Sequence, residues 1–155
     1  MRKRALSVLI VLAIVIAYFI NIPPSQAIFD VNLTVRNGGV YVDGSKTSAT
    51  KTATFSGAPY VPLNIIAPNL GMTYESNADT SLVSFTYKST KLTLDFNKKT
   101  TTVNGKAYTL LYGTSKKTIS NKIHIFVGNQ DIQNIFGLIT DYEAESYTTT
   151  ISTGF

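Results

Sequence analysis

The chain has 155 residues, with 14 Lys and Arg against 9 Asp and Glu, one histidine and no cysteine. Without thiols there is no disulfide scaffold, and a lone histidine leaves a transition metal only carboxylates and amides, so no metal or other cofactor is expected. Three of the basic residues stand within the first four positions, and residues 28–155 carry a net charge of only +2, too little and too scattered for a nucleic-acid interface.

The N-terminus runs from a basic start, Met1-Arg2-Lys3-Arg4, through an apolar or small stretch, Ala5 to Ile20, to a polar tail ending Pro23-Pro24-Ser25-Gln26-Ala27. That is the order of a secretory signal. Ser25 and Ala27 are small residues two apart, and the prolines before them leave an extended segment, so cleavage after Ala27 is expected. The competing reading is an uncleaved anchor, because the apolar run falls just short of the roughly 17 to 25 residues that span a bilayer. Either way the remainder is expected outside the membrane, secreted or on the extracellular face of the cell envelope. Residues 28–155 suffice for one domain that buries about two thirds of the surface its unfolded chain exposes.

Along that remainder, Val31, Leu33 and Val35 alternate with polar neighbours, Asn37-Gly38 offers a tight turn, and Val40 and Val42 alternate again, which predicts a β-hairpin. Asp43-Gly44 ends it. Ser45 to Thr52 reads as a loop or exposed edge, followed by a short strand at Ala53–Phe55 and a turn at Gly57-Ala58-Pro59. Leu63, Ile66, Ala67 and Leu70 then take helical spacing, Gly71 stops the helix, and Pro68 predicts a distortion within it. Strands are expected around Met72 and Tyr74, Val83 to Tyr87 and Leu92 to Phe96, with a hairpin tip at Asn104-Gly105 and a loop from Gly113 to Lys117. The pairs Lys98-Lys99 and Lys116-Lys117 read as solvated loop tips. Ile123 to Val127 predicts a strand, Asn129 an N-cap, and Ile132, Ile135 and Phe136 one face of a helix closed by Gly137.

Residue n set against n + 66 places Tyr60-Val61 on Phe126-Val127, Leu70-Gly71 on Phe136-Gly137 and Phe85 on Ile151. The expected architecture is therefore an α+β, β-rich chain of two degenerate repeats, about 31–96 and 97–155, each with antiparallel strands curled around a short helix.

Val42-Asp43-Gly44, Tyr60-Val61-Pro62-Leu63, Leu70-Gly71 and the strand Val83 to Phe85 resemble the copper amine oxidase N-terminal domain-like family, also called the stalk domain. A second copy, Val103 to Ile151, keeps Asn104-Gly105, Phe126-Val127 and Phe136-Gly137. It departs from the pattern with Gly128 where a proline would stand, and the first copy has Asn64 in place of the usual positive residue. The resemblance implies an exported accessory module with no copper of its own, since in the amine oxidases the metal and quinone lie in another domain.

The search for chemistry yields little. His124, between Ile123 and Ile125, is expected to face outward from a half-buried sheet, and no Gly-x-Ser-x-Gly elbow accompanies it. Asp141, Glu143 and Glu145 would share one face of a strand, which raises a calcium site or a glycosidase pair against an acidic, solvated edge. No Asp-x-Asp-x-Asp-Gly loop supports the former, so no catalytic or metal residue is assigned. Eight tyrosines follow residue 27 (Tyr41, Tyr60, Tyr74, Tyr87, Tyr108, Tyr112, Tyr142 and Tyr147) and offer either strand formers or faces that stack on glycan rings. The reading is a non-enzymatic structural or binding module of the bacterial cell envelope, with wall polysaccharide or an envelope protein as partner. The alternatives are a secreted inhibitor or regulator of an envelope enzyme, and a hydrolase using Asp141 to Glu145.

Overall fold

The computed structural model describes residues 29–154, so the signal segment and its cleavage site at Ser25 and Ala27 lie outside the described residues. Among those described, 52% are strand and 13% helical, a β-rich fold of curled sheets with two helices. The first sheet is antiparallel throughout, in the order β1 (Thr34–Asn37), β4 (Lys51–Phe55), β5 (Ala58–Pro62), β12 (Lys122–Gly128), β11 (Thr114–Ile119). A second is a meander of β6 (Thr73–Ser76), β7 (Leu82–Tyr87), β8 (Thr90–Asp95), β9 (Thr100–Val103) and β10 (Lys106–Ala107). The third joins the two ends of the chain in the order β13 (Ile139–Glu143), β14 (Thr148–Ser152), β2 (Val40–Val42), β3 (Ser45–Lys46), and its β2–β14 pairing is parallel.

The side-chain period of two explains the layering. Val61, Ile125 and Val127 point from the first sheet into a large core shared with Leu63, Ile66, Phe85, Leu92 and Ile151, all without exposure. Their neighbours Tyr60 and Phe126 point the other way, into a small cluster with Leu33 and Ala53 over which the sheet curls. Each large side chain buried this way contributes roughly 1.5–3 kcal/mol relative to leaving it exposed.

Helix α1 (Leu63–Ile66) tightens into a 3₁₀ turn over Ala67–Leu70. Pro68 is the reason: it sits in the first turn of the 3₁₀ segment, where its missing N–H costs no bond. Helix α2 (Asn129–Phe136) is regular, and left-handed glycines end both helical segments, Gly71 at φ 67° and Gly137 at φ 71°.

Three expectations are corrected. β1 and β2 do not form a hairpin, because β1 pairs with β4 while β2 pairs with β3 and β14. Gly38 serves close approach instead of a turn, since a Cβ there would lie 2.0 Å from the Tyr147 carbonyl oxygen. The stretch Gly113 to Lys117 belongs mainly to edge strand β11, and Lys116 is tied down by a 2.8 Å bond to the Thr80 carbonyl and by lying 5.0 Å over the Phe96 ring. Finally, the N-cap of α2 is Gly128, and Asn129 is the first helical residue, its amide donating to Thr149 Oγ1.

Candidate binding groove

The register between β5 and β12 organises the site. Val61 pairs with Val127, flanked by Pro62 with Phe126 and Tyr60 with Gly128. Past Pro62, β5 turns away into α1, yet the ladder is completed by a side chain. Asn64 donates through Nδ2 to the Ile123 carbonyl and accepts through Oδ1 from the Ile125 N–H, both at 2.8 Å, so its amide imitates a strand residue.

The opposite end stays open. Past Gly128 the chain turns into α2, where Gln130 donates to Asn134 on its own helix instead of reaching across. Facing it is the segment 56–59, in which Pro59 has no N–H to be satisfied. The result is a groove of about 440 Å³, walled by residues 56–59, the first turns of α2, residues 140–142 of β13, and Tyr112.

Tyr112 is held in place by buried groups. Asp131, in the first turn of α2, accepts from the backbone N–H groups of Leu111 (2.7 Å) and Tyr112 (2.9 Å), and the Tyr60 hydroxyl donates to the Tyr112 carbonyl. Burial raises the Asp131 carboxyl above its ordinary value, with the two N–H groups opposing. Burial, followed by the charge of Asp131 and then Tyr112, pushes Tyr60 up to about 12. Gly128 belongs to the same arrangement, because a Cβ there would sit 3.0 Å from Tyr112 Cβ. Close approach of this loop accounts for the glycine at position 128.

The polar complement of the groove is neutral and mixed. Asn129 is 4% exposed, and its Oδ1 has no hydrogen-bond donor. Gln133 accepts from the N–H and hydroxyl of Thr140, which leaves its Nε2 hydrogens uncommitted. Tyr142 is half-buried, and burial followed by the neighbouring Tyr147 raises its hydroxyl while Arg36 opposes. Asp141 is the one charged residue among those lining the groove. Beyond Tyr112 a second hollow of about 410 Å³ continues from it, flanked by Phe29, Val31, Phe55 and Leu111. Phe55, Leu111 and Tyr112 are three of the five exposed large apolar or aromatic side chains among the described residues.

Of the residues singled out from sequence, Tyr112 and Tyr142 come together here, whereas Tyr60 and Tyr87 are buried. His124 does not face outward: it is 7% exposed, its Nδ1 lies 2.9 Å from the Lys122 carbonyl, and its ring stacks on Phe126. Covering by the curled sheet is the cause. The three carboxylates do not converge. Asp141 and Glu143 lie in β13, Glu145 lies in the following turn, and no group of three or more His, Cys, Asp or Glu suited to a metal exists among the described residues. The sequence reading missed Asn129, Gln130 and Gln133 as groove residues. Two exposed glutamines three apart on one helix, Gln130 and Gln133, were the available signal.

Fold and groove together define a small β-rich domain. Its matched stretch begins in β2 and ends in β14, the two strands that pair in parallel. The chain belongs to the copper amine oxidase N-terminal domain family, whose family model matches residues 41–151. The domain that names this family is a non-catalytic accessory domain. No match was found among curated proteins or among solved structures.

Proposed function

We propose that this protein acts outside the membrane as a non-catalytic binding module of the cell envelope. Family membership across residues 41–151 carries the reading, since the family is one of accessory domains. The signal-like order of residues 1–27 supports export, and the groove supports a binding role over a purely structural one.

We further infer that the chain is two copies of one strand–helix–strand unit, about 31–96 and 97–155. Val61 and Val127, 66 residues apart, are direct partners where β5 meets β12, and each of these strands leads into a helix closed by a left-handed glycine.

Retention on purified wall polysaccharide, with envelope protein extract in parallel, tests the function. Saturable binding to the polysaccharide is expected. Failure to bind it, with one envelope protein held in a one-to-one complex, would instead make the protein an inhibitor or regulator of that partner.

A further inference from the structure

We propose that the groove between residues 56–59, α2 and β13 is a subsite for a neutral saccharide, with Tyr112 and Tyr142 supplying ring faces and the amides of α2 reading hydroxyl groups. This rests on the wall-binding reading above and locates it at particular residues.

Three observations converge. First, the groove exists because the ladder is left open at this end. The same register that Asn64 closes across Ile123 and Ile125 is unclosed between Gln130 and residues 57–59. Its volume of about 440 Å³ falls within the roughly 300–1,000 Å³ of small-ligand sites. Second, Asn129 is almost wholly buried at the groove and keeps an acceptor without a donor. Buried polar atoms in native proteins nearly always have partners, and leaving one unmade costs about 1–3 kcal/mol. That Oδ1 is closed to solvent, so a ligand hydroxyl group supplies the donor only when a neighbouring side chain moves aside as the groove fills. Third, the remaining polar groups are split between the two roles. Gln130 Oε1 and one Asp141 oxygen can accept, and Gln133 Nε2 can donate. A hydroxyl both donates and accepts, so a surface of this kind suits a polyol better than a ligand with only one capability.

Other chemistries fit less well. An anion would find no Lys, Arg or His lining the groove and would meet the Asp141 carboxylate. A peptide adding itself as a strand would need ladder donors, and Pro59 offers none. A tyrosine presents an apolar face with a polar tip, the combination a sugar ring meets on its C–H face and its edge.

The test uses protein produced from the full sequence, titrated by calorimetry with cellotetraose and with chitotetraose. Binding of at least one is expected, and the pair distinguishes a plain glucan from an N-acetylated, peptidoglycan-like strand as the natural source. Tyr142→Ala and Gln133→Ala should each weaken binding about tenfold or more, while Tyr142→Phe, which keeps the ring, should stay within about threefold. In the unmodified protein, amide NMR shifts on adding the tetraose should concentrate at residues 129–133 and 140–142. Binding to wall polysaccharide that these substitutions leave untouched, or shifts confined elsewhere, overturns the groove assignment and leaves the module reading standing. No binding to either tetraose or to wall polysaccharide overturns both.

Discussion

Replacing Asn64 by alanine should destabilise the domain more than its surface position suggests. The substitution removes two 2.8 Å hydrogen bonds and strands the Ile123 carbonyl and the Ile125 N–H where α1 is joined to β12 in the ladder register. The two bonds contribute about 1 kcal/mol each, and because the site is only part-buried, stranding their partners adds no more than about 1 kcal/mol in all, giving a loss of about 2–3 kcal/mol. In a domain of this size each kcal/mol moves the midpoint by about 4 °C, so thermal denaturation should shift down by about 8–12 °C. Asn64→Asp should fall at least as far near neutral pH, since a carboxylate can still accept from Ile125 but repels the Ile123 carbonyl. Gln130→Ala is the control, because that side chain bonds only to exposed Asn134, and its midpoint should stay within about 2 °C. If Asn64→Ala melted as close to wild type as the control does, the amide would not be completing the ladder.

Other perturbations follow from the same contacts. Because burial raises Asp131, the folded chain binds its proton more tightly than the unfolded chain does, and this group's contribution to stability falls as pH rises from the ordinary value of 3.8 through the raised one. Urea midpoints measured across that window should decline with pH in wild type relative to Asp131→Asn, and parallel profiles would remove Asp131 as the cause. Gly38→Ala should cost about 3 kcal/mol or more, because its Cβ meets backbone at 2.0 Å, and Gly128→Ala only about 1–2 kcal/mol, because the 3.0 Å neighbour is the Cβ of a loop residue; the reverse order in chemical denaturation would contradict the packing described. Lys116→Ala should lose about 1 kcal/mol through its carbonyl and ring contacts, against about 0.5 kcal/mol or less for Lys117→Ala, read from the same denaturation curves.

What the sequence disclosed depended on how local the determining contacts were. The tips Asp43-Gly44 and Asn104-Gly105 both take positive φ, as does each helix-closing glycine, because these conformations are set by a few adjacent residues. Pro68 likewise announced the break in its helix. Asn37-Gly38 carries the same turn chemistry, but β1 pairs with β4 and one of the two partners of β2 lies more than a hundred residues away, and no local pattern records that. Strand β11 was hidden by its polar composition, Thr-Ser-Lys-Lys-Thr-Ile, which an edge strand tolerates because, past the bridge at Thr114, only one side of its ladder is paired. The groove was the least legible part. Its walls come from four separate segments, and Asp131, which reads as an ordinary acidic residue in a helix's first turn, acts by holding a loop twenty residues upstream.

The parallel pairing of β2 with β14 sets an order of events for a chain emerging from its N-terminus. Beyond the local pairing of β2 with β3, Val40, Tyr41 and Val42 align with Thr149, Thr150 and Ile151, more than a hundred residues further along the chain. Until those residues are present the β2–β3 pair lacks its β14 neighbour, and loop-closure entropy favours the nearer pairings of the β6–β10 meander first. Closure of the third sheet is thus the longest-range step of the fold, and it follows the local pairings that other segments can make alone.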